Sequence, residues 1–222
     1  EDGTFSLETD QGTVQSKTVI IATGAAPRYL GLENEMNLVG HGVTSCATCD
    51  GAFYRDVPVA VVGGGDSACE EANFLTRFAS KVYLVHRRDE LRASKIMANR
   101  VLANEKVEPV WDSGITEYLT DEEGEVRAVN LENLKTGEKS ELEVKCVFVA
   151  IGHVPNSQFV GGLVDLDENG YVLQNPHSTG TKTSGLYAAG DVADHIYRQA
   201  ITASGQGCAA AIEAERYLSD SK

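Results

Sequence analysis

Val59-Ala60-Val61-Val62-Gly63-Gly64-Gly65-Asp66-Ser67-Ala68 joins a β-branched apolar run to a glycine-rich turn, and the turn to residues that open a helix. An unbroken apolar run of this length fits a strand buried on both faces, as in a parallel sheet. The reading places a strand at Val57–Val62, a helix from Asp66 to about Ala79, and a second strand at Lys81–His86 around Val82-Tyr83-Leu84-Val85. That is a βαβ unit, and the fold class it predicts is α/β. Its turn reads Gly63-x-Gly65-x-x-Ala68. The glycines allow a tight turn and close approach of a pyrophosphate. Ala68 lets helix and strand pack closely, and the free N–H groups of the helix start favour an anion.

The second strand ends in His86-Arg87-Arg88, with Arg92 one helical turn further on. An Asp or Glu at this place would favour a free ribose 2′-hydroxyl. Guanidinium forks suit a 2′-phosphate, so NADPH is expected rather than NADH. Asp89 is expected to cap a following helix that runs to Asn104, with Leu91, Ile96, Met97, Val101 and Leu102 near one face. The plainer reading of the arginines is a solvated basic face.

Upstream lies Cys46-Ala47-Thr48-Cys49-Asp50-Gly51. A single Cys-x-x-Cys makes a poor zinc site, since only His41 and His86 are at hand to complete four ligands. Two core cysteines are a second reading. A redox disulfide is favoured by the spacing and the α/β setting. Asp50 then stands either as a proton carrier for the thiols or as a turn residue before Gly51.

The 222 residues carry a net charge of −14, which argues against a general nucleic-acid binder; the exception is a basic island of Arg87, Arg88, Arg92, Lys95 and Arg100. No apolar run reaches the roughly 20 residues that span a bilayer, so no membrane association is expected. Five cysteines without a dense pattern do not resemble a secreted disulfide framework, and a reducing cytoplasm is the expected compartment. Cys69, Cys146 and Cys208 are expected to be small buried hydrophobes. No metal is expected.

The rest of the chain reads as short strands. Thr4–Thr9 and Gly12–Ser16 alternate as a hairpin, followed by Thr18–Gly24 as a fully buried strand. Val107–Trp111 is a candidate third parallel strand, and Ile115–Val144 a three-stranded meander. Cys146–Gly152 echoes the pattern of Val19–Gly24. Val164–Leu173 reads as a short hairpin, Gly185–Asp191 as a strand, and Ala200 to Leu218 as a closing helix.

Taken together these segments resemble the low-molecular-weight thioredoxin reductases. The thiol loop, Gly63–Ala68 with His86-Arg87-Arg88-Asp89 and Arg92-Ala93, and the connecting strands Ile20–Ala25 and Ile151–Asn156 match that family. Ala189-Gly190-Asp191-Val192 and Tyr197-Arg198-Gln199-Ala200 match it too. The resemblance implies two Rossmann-like three-layer domains. An NADPH domain (28–153) would be inserted into an FAD domain formed by 1–27 and 154–222, with hinges at Pro27–Tyr29 and His153–Asn156. It implies catalysis by Cys46, Cys49 and Asp50. NADPH would be held by Gly63, Gly65, Asp66, Ser67, Ala68, His86, Arg87, Arg88, Arg92, Ile151 and Gly152. FAD would be held by Thr23, Gly24, Gly190, Asp191, Arg198, Gln199 and Ala200. Thioredoxin is the implied partner and a homodimer the implied assembly.

The family's own N-terminal Gly-x-Gly-x-x-Gly unit for the ADP half of FAD does not precede Thr18. The expectation is therefore an incomplete FAD domain, as in a piece of a longer chain. An alkyl hydroperoxide reductase flavoprotein and a flavin-free NADPH module are the alternatives. The first tends to carry Pro-His where this chain has Ala47-Thr48.

Overall fold

The computed structural model describes residues 3–220. The chain forms two compact units: Pro27–Gly152, and the segments that flank it up to Ala26 and from His153 onward. In chain order the strands and helices begin with the hairpin β1 (Phe5–Thr9) and β2 (Gly12–Ser16), then β3 (Val19–Ile21) and β4 (Ala25–Pro27). β5 (Val43–Thr44), α1 (Ala47–Asp50), β6 (Pro58–Val62), α2 (Asp66–Leu75) and β7 (Lys81–Val85) follow. Next come α3 (Lys95–Leu102), β8 (Val107–Val110), β9 (Ser113–Thr120), β10 (Val126–Asn133) and β11 (Lys139–Glu143). β12 (Val147–Val149), β13 (His153–Pro155), β14 (Leu186–Ala188) and α4 (Ala200–Asp220) complete the series.

The inner unit is built on a five-stranded sheet in the order β5-β12-β6-β7-β8. All its pairings are parallel. Val149, Val62, Val85 and Val110 share one row across it. β6 and β7 lie side by side because the chain returns through α2, the βαβ crossover expected from sequence. Ala68, Cys69, Ala72 and Leu75 are the buried positions of α2. Their spacing makes one apolar stripe, which packs with Val59, Val61, Leu84 and Phe148. Phe148 is fully buried, so Phe148→Ala would cost about 3–5 kcal/mol. The opposite face of the sheet is covered by the meander β11-β10-β9, through Ile115, Tyr118, Val129 and Leu131.

Several sequence expectations need correction. α3 starts at Lys95, so Asp89 caps nothing and pairs with Lys135 at 2.7 Å instead. With that later start Met97 and Val101 turn inward one helical turn apart, while Ile96 and Leu102 face solvent. Cys69 and Cys146 are buried, but Cys208 lies on an exposed face of α4. The short hairpin expected at Val164–Leu173 is present, by contrast: Leu166 bridges Val172 antiparallel, Leu173 N donates to Asp165 O at 2.8 Å and Asp167 N to Tyr171 O at 2.9 Å.

In the outer unit β3 pairs in parallel with β14, Val19, Ile20 and Ile21 aligning with Leu186, Tyr187 and Ala188. β3 is not fully buried: Ile21 is inside, but Ile20 is 38% exposed. β14 leads to a single 3-10 turn at Gly190–Val192, packed close to α4. A Cβ on Gly190, whose φ is +78°, would stand 3.3 Å from the Ala203 Cβ.

Candidate active site

The sheet delivers two chemically distinct features to the same end. β5 pairs Thr44 with Phe148, and β12 pairs Phe148 with Val61. Cys46 therefore leaves the sheet where Gly63 leaves it, two strand spacings away, about 10 Å along the sheet.

The glycine turn is set by steric contact. Gly63 has φ +151°, and a Cβ there would lie 2.5 Å from the Ala150 carbonyl oxygen and 2.7 Å from the Ala68 Cβ. A Cβ on Gly64 would lie 2.2 Å from the His86 ring. Gly65 meets nothing within 4 Å and opens α2 as an N-cap without a side-chain bond, so the first N–H groups of α2 stay free for an anion. The Gly64 carbonyl accepts from Arg92 N at 2.7 Å and Ala93 N at 3.1 Å, tying the arginine segment to the turn.

Around the turn lies a cleft of about 800 Å³. Gly63, Gly65, Asp66, Ser67, His86, Arg87, Arg92, Ile151 and Gly152 all line it; Ala68 is buried beneath the turn, and Arg88 is not part of the lining. The Asp66 carboxylate accepts from Ser94 N at 2.9 Å, so it organises the loop before α3. His86 is buried with Nε2 unpartnered among the described residues. Its pKa is lowered first by burial and then by Arg92, Arg88 and Arg87, which keeps the ring neutral, while a backbone bond at Glu90 pulls the other way. The free helix start, the steric need for glycine and the two guanidinium groups all fit a phosphorylated dinucleotide.

The thiol loop is held differently. Cys46 and Cys49 are disulfide-bonded, with S–S 2.02 Å and Cα–Cα 5.3 Å. Cys46 caps α1, its Sγ accepting from Cys49 N at 3.2 Å. Ala47 points into the core with Val59 and Val61, while Cys49 is exposed. The buried Thr44 hydroxyl donates to Asp50 Oδ2 at 2.5 Å and accepts from Cys46 N at 3.2 Å. Thr44 thus links the carboxylate to the backbone of the first cysteine. Sequence reasoning missed Thr44, because a threonine two residues before a cysteine carries no signal of its own. It also missed Leu30, Leu32, Ile115 and Leu134, which supply the apolar walls of the cleft from distant segments.

In the outer unit Thr23 and Gly24 are bonded to Asn156: Thr23 Oγ1 donates to its carbonyl, and Asn156 N donates to Gly24 O at 2.9 Å. Gly190 N donates to Gln206 Oε1 at 2.9 Å. Asp191 lies in the 3-10 turn, its pKa raised by burial and by Asp194 and eased by Arg198. Arg198 has φ +47° and its guanidinium donates to the His195 carbonyl. Gln199 and Ala200 stand at the start of the 21-residue α4. Gly190, Asp191 and the start of α4 thus gather at one place, a fit for a polar or phosphorylated chain. Among the described residues no group of His, Cys, Asp and Glu makes a metal site, and no helix is long and apolar enough to cross a membrane.

The sequence profile of the pyridine nucleotide-disulphide oxidoreductases matches residues 1–207. The chain belongs to this family. Within it, the chain is 55% identical over 208 residues to a thioredoxin reductase of Mycolicibacterium smegmatis, covering 94% of this chain and 66% of that protein. It is 51% identical over 219 residues to a bifunctional thioredoxin reductase/thioredoxin of Mycobacterium leprae, covering 97% and 47%. A crystal structure of thioredoxin reductase from Streptococcus pyogenes superposes with TM-score 0.92 at 42% identity, covering 98% of this chain and 71% of that one. The chain thus spans about two thirds or less of these curated relatives.

Proposed function

We propose that this chain is the NADPH-binding, dithiol-carrying part of a thioredoxin reductase, with a share of the FAD site in its outer unit. The observation that carries this reading is the pairing, at one end of one parallel sheet, of a disulfide-bonded Cys46–Cys49 with a glycine turn suited to a dinucleotide. In this reading the N–H groups of Gly65 and the start of α2 hold the pyrophosphate, and Arg87 and Arg92 hold the 2′-phosphate. Arg88 adds positive charge beside them. Gly190, Asp191 and the Arg198–Ala200 segment hold the flavin nucleotide, with Thr23 and Gly24 at the connecting strand. FAD, when bound, supplies the relay that turns a hydride into two electrons for a disulfide.

The chemistry of the chain's own residues is a two-electron reduction. The Cys46–Cys49 bond breaks, two electrons enter, and two protons are taken up to give the dithiol. Asp50, oriented by Thr44, delivers and removes a proton at the cysteine sulfurs. The Cys46 thiolate attacks the disulfide of thioredoxin, forming a mixed disulfide and releasing one thiol. Cys49 then attacks Cys46, which releases reduced thioredoxin and restores the starting bond. The 51% identical relative whose name joins reductase and thioredoxin supports this partner. Action as a homodimer in the cytoplasm belongs to the same proposal.

The test uses the whole protein that contains this chain, loaded with FAD. NADPH oxidation should depend on added oxidised thioredoxin and vanish in Cys46→Ser. Turnover that survives that change would contradict the assignment.

A further inference from the structure

Glu35 is 2% exposed, and its hydrogen-bond partners are not cations. Its Oε2 accepts from Gly31 N at 2.6 Å and Leu32 N at 3.3 Å. Its Oε1 accepts from Leu30 N at 3.1 Å and from the Tyr118 hydroxyl at 2.6 Å. Burial, then the bond to Glu35, raises the pKa of Tyr118, so the phenol remains a donor. A buried carboxylate is tolerated only where donors converge on it. Here three are consecutive amides of one loop, with Gly31 at φ +77°, and the fourth comes from β9 of the meander.

That loop is a wall of the nucleotide cleft. Leu30 and Leu32 line it beside Ile151 and Gly152, and Arg28 N donates to the Gly152 carbonyl at 2.9 Å. The strand order fixes which part of a dinucleotide would meet this wall. β7, bearing Arg87 at its end, lies on one side of β6; β12, leading to Ala150 and Ile151, lies on the other. With the pyrophosphate over Gly63–Gly65 and the 2′-phosphate at the arginines, the nicotinamide half extends toward Ile151, Leu30 and Leu32.

We propose that Glu35, braced by Tyr118, is a positioning residue that sets the Leu30–Leu32 wall for the nicotinamide half of the nucleotide. This rests on the reading of the cleft as an NADPH site. The wall is apolar and the brace lies behind it, so Glu35 acts through the loop and touches no ligand.

The test is titration calorimetry of the whole FAD-loaded protein that contains this chain, with NADP⁺ and with 2′,5′-ADP, which has the arginine-binding phosphate but no nicotinamide. NADP⁺ stands in for NADPH because it does not reduce the flavin. Glu35→Gln puts an NH₂ against amide donors and should weaken NADP⁺ about tenfold, the scale of one hydrogen bond to a charged group. Binding of 2′,5′-ADP should not change. Tyr118→Phe keeps the carboxylate and its three amides, and should weaken NADP⁺ about threefold with the same indifference to 2′,5′-ADP. Equal weakening of both ligands, or of neither, overturns the proposal. A wild-type whole protein that binds neither ligand overturns the nucleotide reading itself, and the brace with it.

Discussion

The glycine turn after β6 and the thiol loop after β5 leave the same end of one sheet, yet they are shaped by opposite means. The turn is defined by what cannot be added, since backbone and ring atoms stand 2.2–2.5 Å from any Cβ on Gly63 or Gly64. The loop is defined by bonds that must be made: the disulfide, and the Thr44 hydroxyl shared between Asp50 and Cys46 N. Steric design holds a rigid ligand site. Bonding design holds a reactive pair at a short helix, with Cys46 half-buried at its cap and Cys49 exposed within it.

If that contrast is right, changes on one side should spare the other. The largest effect is expected from Cys49→Ser, which should abolish disulfide transfer completely while leaving NADPH affinity of the chain unchanged. A fall in affinity would mean the two features are coupled. Gly63→Ala should do the reverse, costing about 3 kcal/mol of stability in denaturant melts and removing nucleotide binding, because the Ala150 carbonyl has nowhere to move. Replacing Arg87 and Arg92 together by Ala should weaken NADPH about 100-fold and NADH little. Equal losses would mean the cluster does not read the 2′-phosphate.

How much of this was legible in the sequence follows the same division. The glycine turn was readable as a motif, yet steric exclusion enforces only part of it: Gly63 and Ala68 crowd each other, Gly65 has open space, and Gly64, pressed on the His86 ring, stands where the motif admits any residue. The cysteines were readable for their chemistry. The supports were not. Thr44 and Glu35 bind backbone and side chains within six residues of themselves, but no residue-type pattern marks such bonds, and Tyr118 and the place of Leu134 in the cleft come only with tertiary structure. The two glycine-ended strands teach the same lesson. Cys146–Gly152 and Val19–Gly24 share a pattern, but β12 has strands on both sides, while β3 pairs with β14 and leaves Ile20 outward. An apolar run reports a strand and not its neighbours. Likewise Asp89 reads as a cap in sequence but pairs with Lys135 on the surface, while the arginine segment is tied down by backbone bonds from Arg92 N and Ala93 N to the Gly64 carbonyl.

Smaller effects sharpen the electrostatic side. The lowered pKa values of His86 and His153, both chiefly from burial, give a pH dependence of defined sign. Below the ordinary value of 6.5 the unfolded chain binds protons that the folded chain refuses. Stability should therefore be full above that pH and fall as the pH drops below it. Thermal melts from pH 7.5 to 5.5 check this, and His86→Asn should flatten part of the slope. The smallest effect is expected at Lys135, which bridges Asp89 and Asp112 at 2.7 and 3.1 Å on the surface. Lys135→Met should weaken NADPH by no more than about threefold, and the difference should fade in high salt.

The central claim is that electrons from NADPH arrive at Cys46 and Cys49. It is tested most directly in the whole FAD-loaded protein, by adding NADPH without oxygen and then alkylating and mapping the thiols. New labels on both Cys46 and Cys49, with Cys69 and Cys146 unlabelled in the folded protein, are the predicted result. Bleaching of the flavin with the Cys46–Cys49 bond left intact would contradict it.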